Sequence, residues 1–255
     1  MRRYYFFFIC LITALAMTAT ATATTMSGLQ SKGGWKGYGE KASQGWAICP
    51  APCTGITWSM VQHIQSPALS GNSTKFSIGG TYPYGDVLWT NSLIGQMSTQ
   101  GVKDYSHTLL PTLHYFTYDA YFYGTNLPLS QVLEFDVSEY MNGHKLIWGT
   151  QCRIAGGHQW DIWNASQKWI PTGIYCNPPS NKWNHLILKF AKTSGGNVLF
   201  QSITLNGVTH TLNKTYAPGS APSSWWGLTI NVQTDMNSQP SAYHVYVDKL
   251  NLTYQ

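Results

Sequence analysis

Charged side chains are scarce in this sequence of 255 residues, in which Asp, Glu, Lys and Arg together make up 10%. The formal net charge of +5 is modest and the lysines are scattered, so a nucleic-acid partner is not expected. No stretch repeats its apolar residues with the 3.6-residue period of an amphipathic helix, which argues against a helical fold. The histidines lack the spacing of metal ligands, so we expect no metal centre built on them.

The sequence also lacks an apolar run long enough to span a membrane, which takes about 20 residues. Its longest apolar stretch, YYFFFICLITALA, follows Arg2 and Arg3 and precedes small residues up to Ala23. This pattern is typical of a secretory signal peptide, which we place at 1–23; the alternative is a retained anchor. Cleavage would leave 13 basic and 10 acidic residues. We therefore expect a secreted or periplasmic protein with no membrane attachment after processing.

Cysteines are few. One of the five lies within the predicted signal peptide. Export favours disulfides among the other four, Cys49, Cys53, Cys152 and Cys176, which allow three pairings. Proximity along the chain favours Cys49–Cys53 and Cys152–Cys176.

The rest of the chain is a series of short runs rich in β-branched and aromatic residues, separated by Gly, Asn and Pro, which predicts strands. The clearest unit joins LFQSITL to VTHTL through Asn206 and Gly207, the signature of a type I′ hairpin. About a dozen strands without helices predict an all-β, two-sheet antiparallel β-sandwich. We expect 24–54 to be an irregular lead-in closed by a disulfide and packed on the sandwich, which would occupy 55–255.

The run QVLEFDVSEYM (131–141) places apolar side chains on one strand face and Glu134 and Asp136 on the other. Glu139 follows, so two of the three glutamates of the chain lie within six residues. Cleavage of a glycosidic bond with retention uses two carboxyl groups about 5–5.5 Å apart. Glu139 shares a face with Glu134 only if a β-bulge follows Asp136. Asp136 would then raise the pKa of the acid by like-charge repulsion.

The letters EFDVSE resemble the E-x-D-x-x-E strand of laminarinase- and agarase-like glycoside hydrolases, which have a concanavalin A-like jelly roll. The resemblance implies that Glu134 is the nucleophile, Asp136 the helper and Glu139 the acid/base. The closing strand YVDKLNLTY and the Trp-rich middle of the chain are similar to the wider lectin and glucanase class of that fold. The alternative is an outward face of solvated acids, with Glu139 beginning the turn at MNGH.

The stretch GHQWDIWNASQKW indicates a sugar-binding strand, because Asp161 and Trp163 share one face and acids avoid cores. Aromatic rings with a polar edge suit half-wet surfaces, so Trp163 and Trp148 are candidate sugar platforms. The alternative is that most tryptophans fill the space between the sheets.

Arg153 is the one arginine outside the predicted signal peptide. With Gln151 and His158 it would donate hydrogen bonds to a sugar. Together with a tyrosine, the same residues would suit a uronate and β-elimination, as in jelly-roll polysaccharide lyases.

Two main hypotheses follow. The first is a secreted retaining endo-glycoside hydrolase on a β-linked neutral glycan, and the second is a non-catalytic, lectin-like β-sandwich; a polysaccharide lyase is a third. Each takes a polysaccharide or oligosaccharide as partner, and we expect a monomer without a cofactor. Asp248 would contribute to a structural Ca²⁺ site if there is one. The orientation of Glu139 discriminates between enzyme and binder.

Overall fold

The structure, a computed structural model, describes residues 22–45, 47–49, 51–166 and 168–255. The predicted signal peptide therefore lies almost entirely outside the described residues. Within them the regular elements are strands and short 3₁₀ helices, and no helix has the length and apolar character needed to cross a membrane. The strands form two antiparallel sheets, so the predicted all-β sandwich is confirmed.

The first sheet, sheet A, has eight strands. Seven of them lie side by side in the spatial order β15 (Val208–Tyr216), β14 (Val198–Leu205), β13 (Trp183–Lys192), β7 (Tyr115–Gly124), β18 (Tyr243–Tyr254), β5 (Ser73–Gly80) and β4 (Ile56–Ile64). The eighth, β1 (Thr24–Met26), pairs with the end of β18.

The second sheet, sheet B, has ten strands. Eight follow the order β12 (Lys168–Tyr175), β11 (Gln159–Asn164), β10 (Thr150–Arg153), β8 (Ser130–Met141), β17 (Gly227–Met236), β6 (Gly85–Gly95), β2 (Lys36–Lys41) and β3 (Ala47–Cys49). The other two are β9 (His144–Trp148), which pairs with β8, and β16 (Gly219–Ser220), which pairs with β9. The 3₁₀ helices are Leu29–Ser31, Ala42–Gln44, Leu110–Thr112 and Leu127–Leu129.

The core lies between the two sheets, where alternate residues of both point inward. Phe135 on β8 is fully buried and packs against Phe122 of sheet A, with ring centroids 5.2 Å apart. Val232 on β17 and Val247 on β18 are also fully buried. Burying these apolar side chains drives the two sheets together and leaves the opposite face of each sheet turned outward.

The segment predicted to be an irregular lead-in is not irregular, because it contains three strands. β2 pairs with β6 and carries β3 at its other edge, so this segment extends sheet B. Its signal was weak because Gly37 and Gly39 alternate with the outward residues of β2. A Cβ at Gly37 would lie 2.5 Å from the Trp89 ring, which is why glycine stands there.

Both predicted disulfides are present. Cys49 is bonded to Cys53, and Cys152 to Cys176, with Cα atoms 5.5 and 5.7 Å apart. The predicted hairpin is confirmed too, since Asn206 and Gly207 join β14 to β15 with φ angles of 50° and 84°. A type I′ turn requires positive φ at both positions.

Candidate functional site

Strand β8 is regular at the point where the catalytic hypothesis required a bulge. Its pairing with β17 runs without a shift from Leu133 to Tyr140, with Glu134 opposite Gln233 and Glu139 opposite Leu228. Since consecutive side chains alternate between faces, Glu134 points outward and Glu139 points into the core. The predicted pairing of Glu134 with Glu139 on one face is therefore wrong.

Glu139 is instead part of a buried ion pair between the sheets. Its side chain is 0% exposed, and the ammonium of Lys192 on β13 donates to its Oε1 over 2.7 Å. Lys192 Nζ also donates to the carbonyl oxygen of Leu110 over 2.8 Å. Burial raises the pKa of Glu139 to about 7, although Lys192 acts in the opposite direction. Glu139 links sheet B to sheet A and does not reach the outer face.

The outer face of sheet B carries a line of polar side chains that crosses four adjacent strands. Asp161 on β11 lies opposite Gln151 on β10, which lies opposite Glu134 on β8, which lies opposite Gln233 on β17. We call these four residues the polar row. Strands lie about 4.8 Å apart, so the row is about 14 Å long. Each member is at most 8% exposed although it points away from the core, because its neighbours shield it.

Beside the polar row lie two tryptophans over a glycine. Trp163 on β11 lies opposite Trp169 on β12, and their half-buried rings are 5.1 Å apart in an edge-to-face arrangement with planes tilted by 68°. A Cβ at Gly149 would lie 2.9 Å from Trp163 Cβ and 3.4 Å from the Trp169 ring. Gly149 thus makes room for the pair on the side that faces β8, where the next outward residue is Asp136. Asp136 Oδ1 accepts a hydrogen bond from the Thr150 amide over 3.0 Å.

Carboxyl groups concentrate on this outer face. Asp235 on β17 lies opposite Asp86 on β6, which lies opposite Glu40 on β2. With the three acids on β8 and β11, six of the ten acidic residues of the chain share the face. They are Glu40, Asp86, Glu134, Asp136, Asp161 and Asp235.

These carboxyls hold their protons unusually strongly. Burial, followed by the charges of neighbouring carboxyls, raises the pKa of Glu134 and of Asp86 well above the ordinary values. Burial alone raises the pKa of Glu40 to about 7, and it raises that of Asp136 to about 7 against hydrogen bonds from Thr150 and Asn231. Neither oxygen of Asp86 has a hydrogen-bond partner among the described residues. At mildly acidic pH the face therefore offers O–H donors as well as acceptors.

The predicted polar contacts are only partly brought together. Gln151 Nε2 donates to Asp161 Oδ2 over 2.8 Å, and Arg153 Nε lies 2.9 Å from the same oxygen. Burial raises the pKa of Asp161, while these two partners lower it. His158 is exposed in the turn between β10 and β11, with its ring 6.2 Å from that of Tyr175, so it lies at the margin of the face.

Trp148 was predicted as a sugar platform, and this is wrong. It lies on the inward face of β9, is fully buried, and its Nε1 donates to the carbonyl oxygen of Ala191 over 3.1 Å. Its ring packs against Phe116 of sheet A at 4.9 Å. The ring fills the space between the sheets, which was the alternative interpretation.

The surroundings of Asp248 do not fit Ca²⁺. Its Oδ2 accepts from the amides of Leu69 and Ser70, and its Oδ1 accepts from the Ser70 hydroxyl, the Lys249 amide and Gln30. Burial acts to raise the pKa of Asp248, but the hydrogen bonds from Ser70, Leu69 and Lys249 bring it below the ordinary value. A cation needs a shell of oxygen ligands, whereas this carboxylate is surrounded by donors. No group of three or more His, Cys, Asp or Glu residues suited to a metal occurs in the described part of the chain.

Sequence reasoning missed the residues of this face that come from distant strands. Asn231, Gln233 and Asp235 are spaced two apart in WGLTINVQTDM, and the alternation of Ile230 and Val232 with Asn231 and Gln233 is the signal that would have placed them outward. Trp225, 51% exposed, was also missed; its ring packs edge-on against Tyr140 at the end of β8, at 5.3 Å.

Comparison with known proteins adds similarities at the level of whole folds. No protein-family model matches the chain. No curated protein matches it. Among solved structures, it is similar to a carbohydrate esterase from the Shiga toxin-encoding bacteriophage phi24B, at 14% identity, covering 91% of this chain and 99% of that chain, with a TM-score of 0.46. It is also similar to the family 11 carbohydrate-binding module from Clostridium thermocellum in complex with a β-1,3-1,4-mixed-linked tetrasaccharide, at 13% identity and a TM-score of 0.40. That similarity covers 92% of this chain and 96% of that chain.

A further similar structure concerns the promiscuous specificity of carbohydrate-binding modules from the β-sandwich superfamily, at 10% identity and a TM-score of 0.41. The similarity covers 87% of this chain and 58% of that chain, so this chain matches little more than half of that protein. At such identities and scores, function has to be inferred from the side chains of this chain itself.

Proposed function

We propose that the protein is a glycan-binding β-sandwich that binds a largely neutral polysaccharide on the outer face of sheet B. The observation that carries the proposal is the polar row, in which Asp161, Gln151, Glu134 and Gln233 lie in register across four adjacent strands. A line of hydrogen-bonding groups at right angles to the strands matches an extended chain of hydroxyl-bearing rings.

The chemistry of the face supports a sugar. The amides of Gln151 and Gln233 both donate and accept, and the carboxyls of the face donate when protonated. A sugar hydroxyl also does both, so it pairs with either. Trp163 and Trp169 supply partly exposed aromatic surface beside the row, suited to stacking on the apolar side of a pyranose ring. A few fixed polar groups beside aromatic surface is the usual make-up of a small-molecule site.

Each of the two enzymatic hypotheses depends on a residue that is engaged elsewhere. A retaining hydrolase of the proposed kind needs Glu139 as acid/base, and that residue points into the core beside Lys192. A lyase needs Arg153 to neutralise a uronate, and Arg153 already faces Asp161 at 2.9 Å. We therefore favour binding without turnover.

The test is affinity electrophoresis and calorimetry of the exported protein on a panel of neutral β-glucans, xylans and mannans, with a reducing-sugar assay alongside. Gln233→Ala should weaken binding of whichever polymer binds the wild-type protein about tenfold, because it removes one to two hydrogen bonds. Thr211→Ala, an exposed change on sheet A, is the matched control and should have no effect. Binding that is indifferent to Gln233→Ala, or release of reducing ends abolished by Glu134→Gln, would refute the proposal.

A further inference from the structure

The outer face of sheet A, on the opposite side of the sandwich, carries a strip of aromatic rings. Trp183 on β13 lies opposite Tyr123 on β7, and Tyr123 lies opposite Tyr246 on β18. The ring centroids are 5.6 and 6.0 Å apart, with planes tilted by 59° and 84°. All three side chains are partly exposed. We call these three residues the aromatic strip; it crosses three strands, or about 10 Å.

A second set of contacts braces the strip. The ring of His185 stacks on that of Tyr121 at 4.1 Å and 3°, and Lys249 Nζ lies 5.7 Å from the same tyrosine ring. His185 Nε2 is 2.8 Å from Asp119 Oδ1. Tyr121 is thereby held by His185 and lies near the Lys249 ammonium, next to the strip.

The charge around the strip is positive. Lys75 on β5 lies opposite Tyr246 and continues the line of the strip by one strand, and Lys249 lies beside Tyr121. Asp119 is the acidic residue that these strands place on this face, and its carboxylate is hydrogen-bonded to His185. The outer face of sheet B has the opposite character, with six carboxyls. The two faces of the sandwich are therefore suited to ligands of different charge.

We propose that the aromatic strip with Lys75 and Lys249 is a second binding surface, which takes an acidic polysaccharide of uronic acid residues. Pyranose rings present C–H groups that pack on aromatic rings, and the two ammonium groups neutralise the carboxylates. The tilt between neighbouring rings suits puckered sugars better than a stack of flat nucleobases, which favours a glycan over single-stranded nucleic acid. The surface is separate from the polar row, so it adds a ligand class to the neutral glycan proposed above.

The experiment is affinity electrophoresis of the exported protein in gels containing polygalacturonate. The wild type should be retarded, and Lys75→Gln combined with Lys249→Gln should weaken the interaction about tenfold and reduce its salt sensitivity. Lys189→Gln is the matched control: it removes the same charge from an exposed position of β13, opposite Thr117 and away from the strip, and should change the affinity less than twofold. Trp183→Ala should also weaken binding about tenfold, with the melting temperature measured to separate lost contact from lost fold.

Gln233→Ala should leave retardation by polygalacturonate unchanged, which separates this proposal from that for sheet B. Several results would overturn it: no retardation of the wild type, an equal loss with Lys189→Gln, or equal retention by single-stranded DNA. A dimer that the two lysine substitutions convert to a monomer would show instead that this face binds a second copy of the chain.

Discussion

Glu139→Gln is the substitution that most sharply separates the structure from the catalytic interpretation of the sequence. The amide keeps the shape of the side chain and removes its charge. Because the folded-state pKa of Glu139 is raised from 4.5 to about 7, the folded protein binds the proton more tightly than the unfolded chain. The elevation corresponds to about 3 kcal/mol. Stability from this group is fully present below pH 4.5 and is lost as pH rises towards 7.

The variant has no proton to lose at this position, so its free energy of unfolding lacks the pH dependence that Glu139 gives the wild type. Relative to the wild type, the free energy of unfolding of Glu139→Gln should increase by about 3 kcal/mol between pH 4.5 and pH 8. The physical reason is that the desolvation of a buried carboxylate exceeds its attraction to Lys192. Urea unfolding followed by tryptophan fluorescence at both pH values, with disulfides intact, measures the difference. The carboxyls of the outer face titrate in both proteins and lie across the sheet, so their contribution cancels to a first approximation.

A variant that becomes less stable relative to the wild type as pH rises would refute this reasoning, since the ionised pair would then be the favoured state. The control is the pair of substitutions Glu139→Leu and Lys192→Met. Lys192→Met alone should cost about 3–5 kcal/mol by leaving a buried carboxyl unpaired, and the double variant should recover most of that loss. In a catalytic role, Glu139→Gln would instead alter activity and leave stability unchanged.

Three further predictions concern the outer face of sheet B. Trp163→Ala should lower glycan affinity about tenfold with little change in melting temperature, since the ring is only half-buried; unfolding of the variant would show a core role instead. Gly149→Val should displace Trp163, whose Cβ would lie 2.9 Å from the new Cβ, and weaken binding in calorimetry, whereas unchanged affinity would show that the pair is not used. Because burial raises the pKa of Glu40 and of Asp136 to about 7, the melting temperature of the wild type by calorimetry should fall from pH 5 to pH 8; a rise would contradict those pKa directions.

The sequence predicted the strands because their signals are local. Alternation, turn residues and the Asn206–Gly207 hairpin depend on neighbours along the chain, and alternation alone correctly placed Glu134 outward. The prediction for Glu139 went wrong where the resemblance of EFDVSE required a bulge. A glutamate in the core needs a charged partner, and that partner is Lys192, which is 53 residues away along the chain. The residues next to Glu139 in the sequence give no indication of it.

The site was harder to predict than the fold because it depends on register between distant strands. Gln233 joins Glu134 only through the pairing of β17 with β8, and Asp86 joins Asp235 only through that of β6 with β17. Each residue read by itself is an ordinary outward polar side chain. A shift of one residue in either pairing would send these side chains to the other face, so the row is a property of the assembled sheet.

The disulfide Cys152–Cys176 has a consequence for the order in which the sheet opens. It bonds Cys152 in β10 to Cys176, the residue that follows β12, and so closes a covalent loop of chain. The loop contains the second half of β10 and all of β11 and β12, the three strands at one edge of sheet B. That loop carries Trp163, Trp169 and Asp161, and the strand at its start also holds Gln151. In the oxidised protein this edge should resist local unfolding, and its amide hydrogens should exchange slowly. After reduction, the same strands should exchange with solvent before β17 does, so thiols would remove one end of the binding face while the rest of the sandwich stays folded.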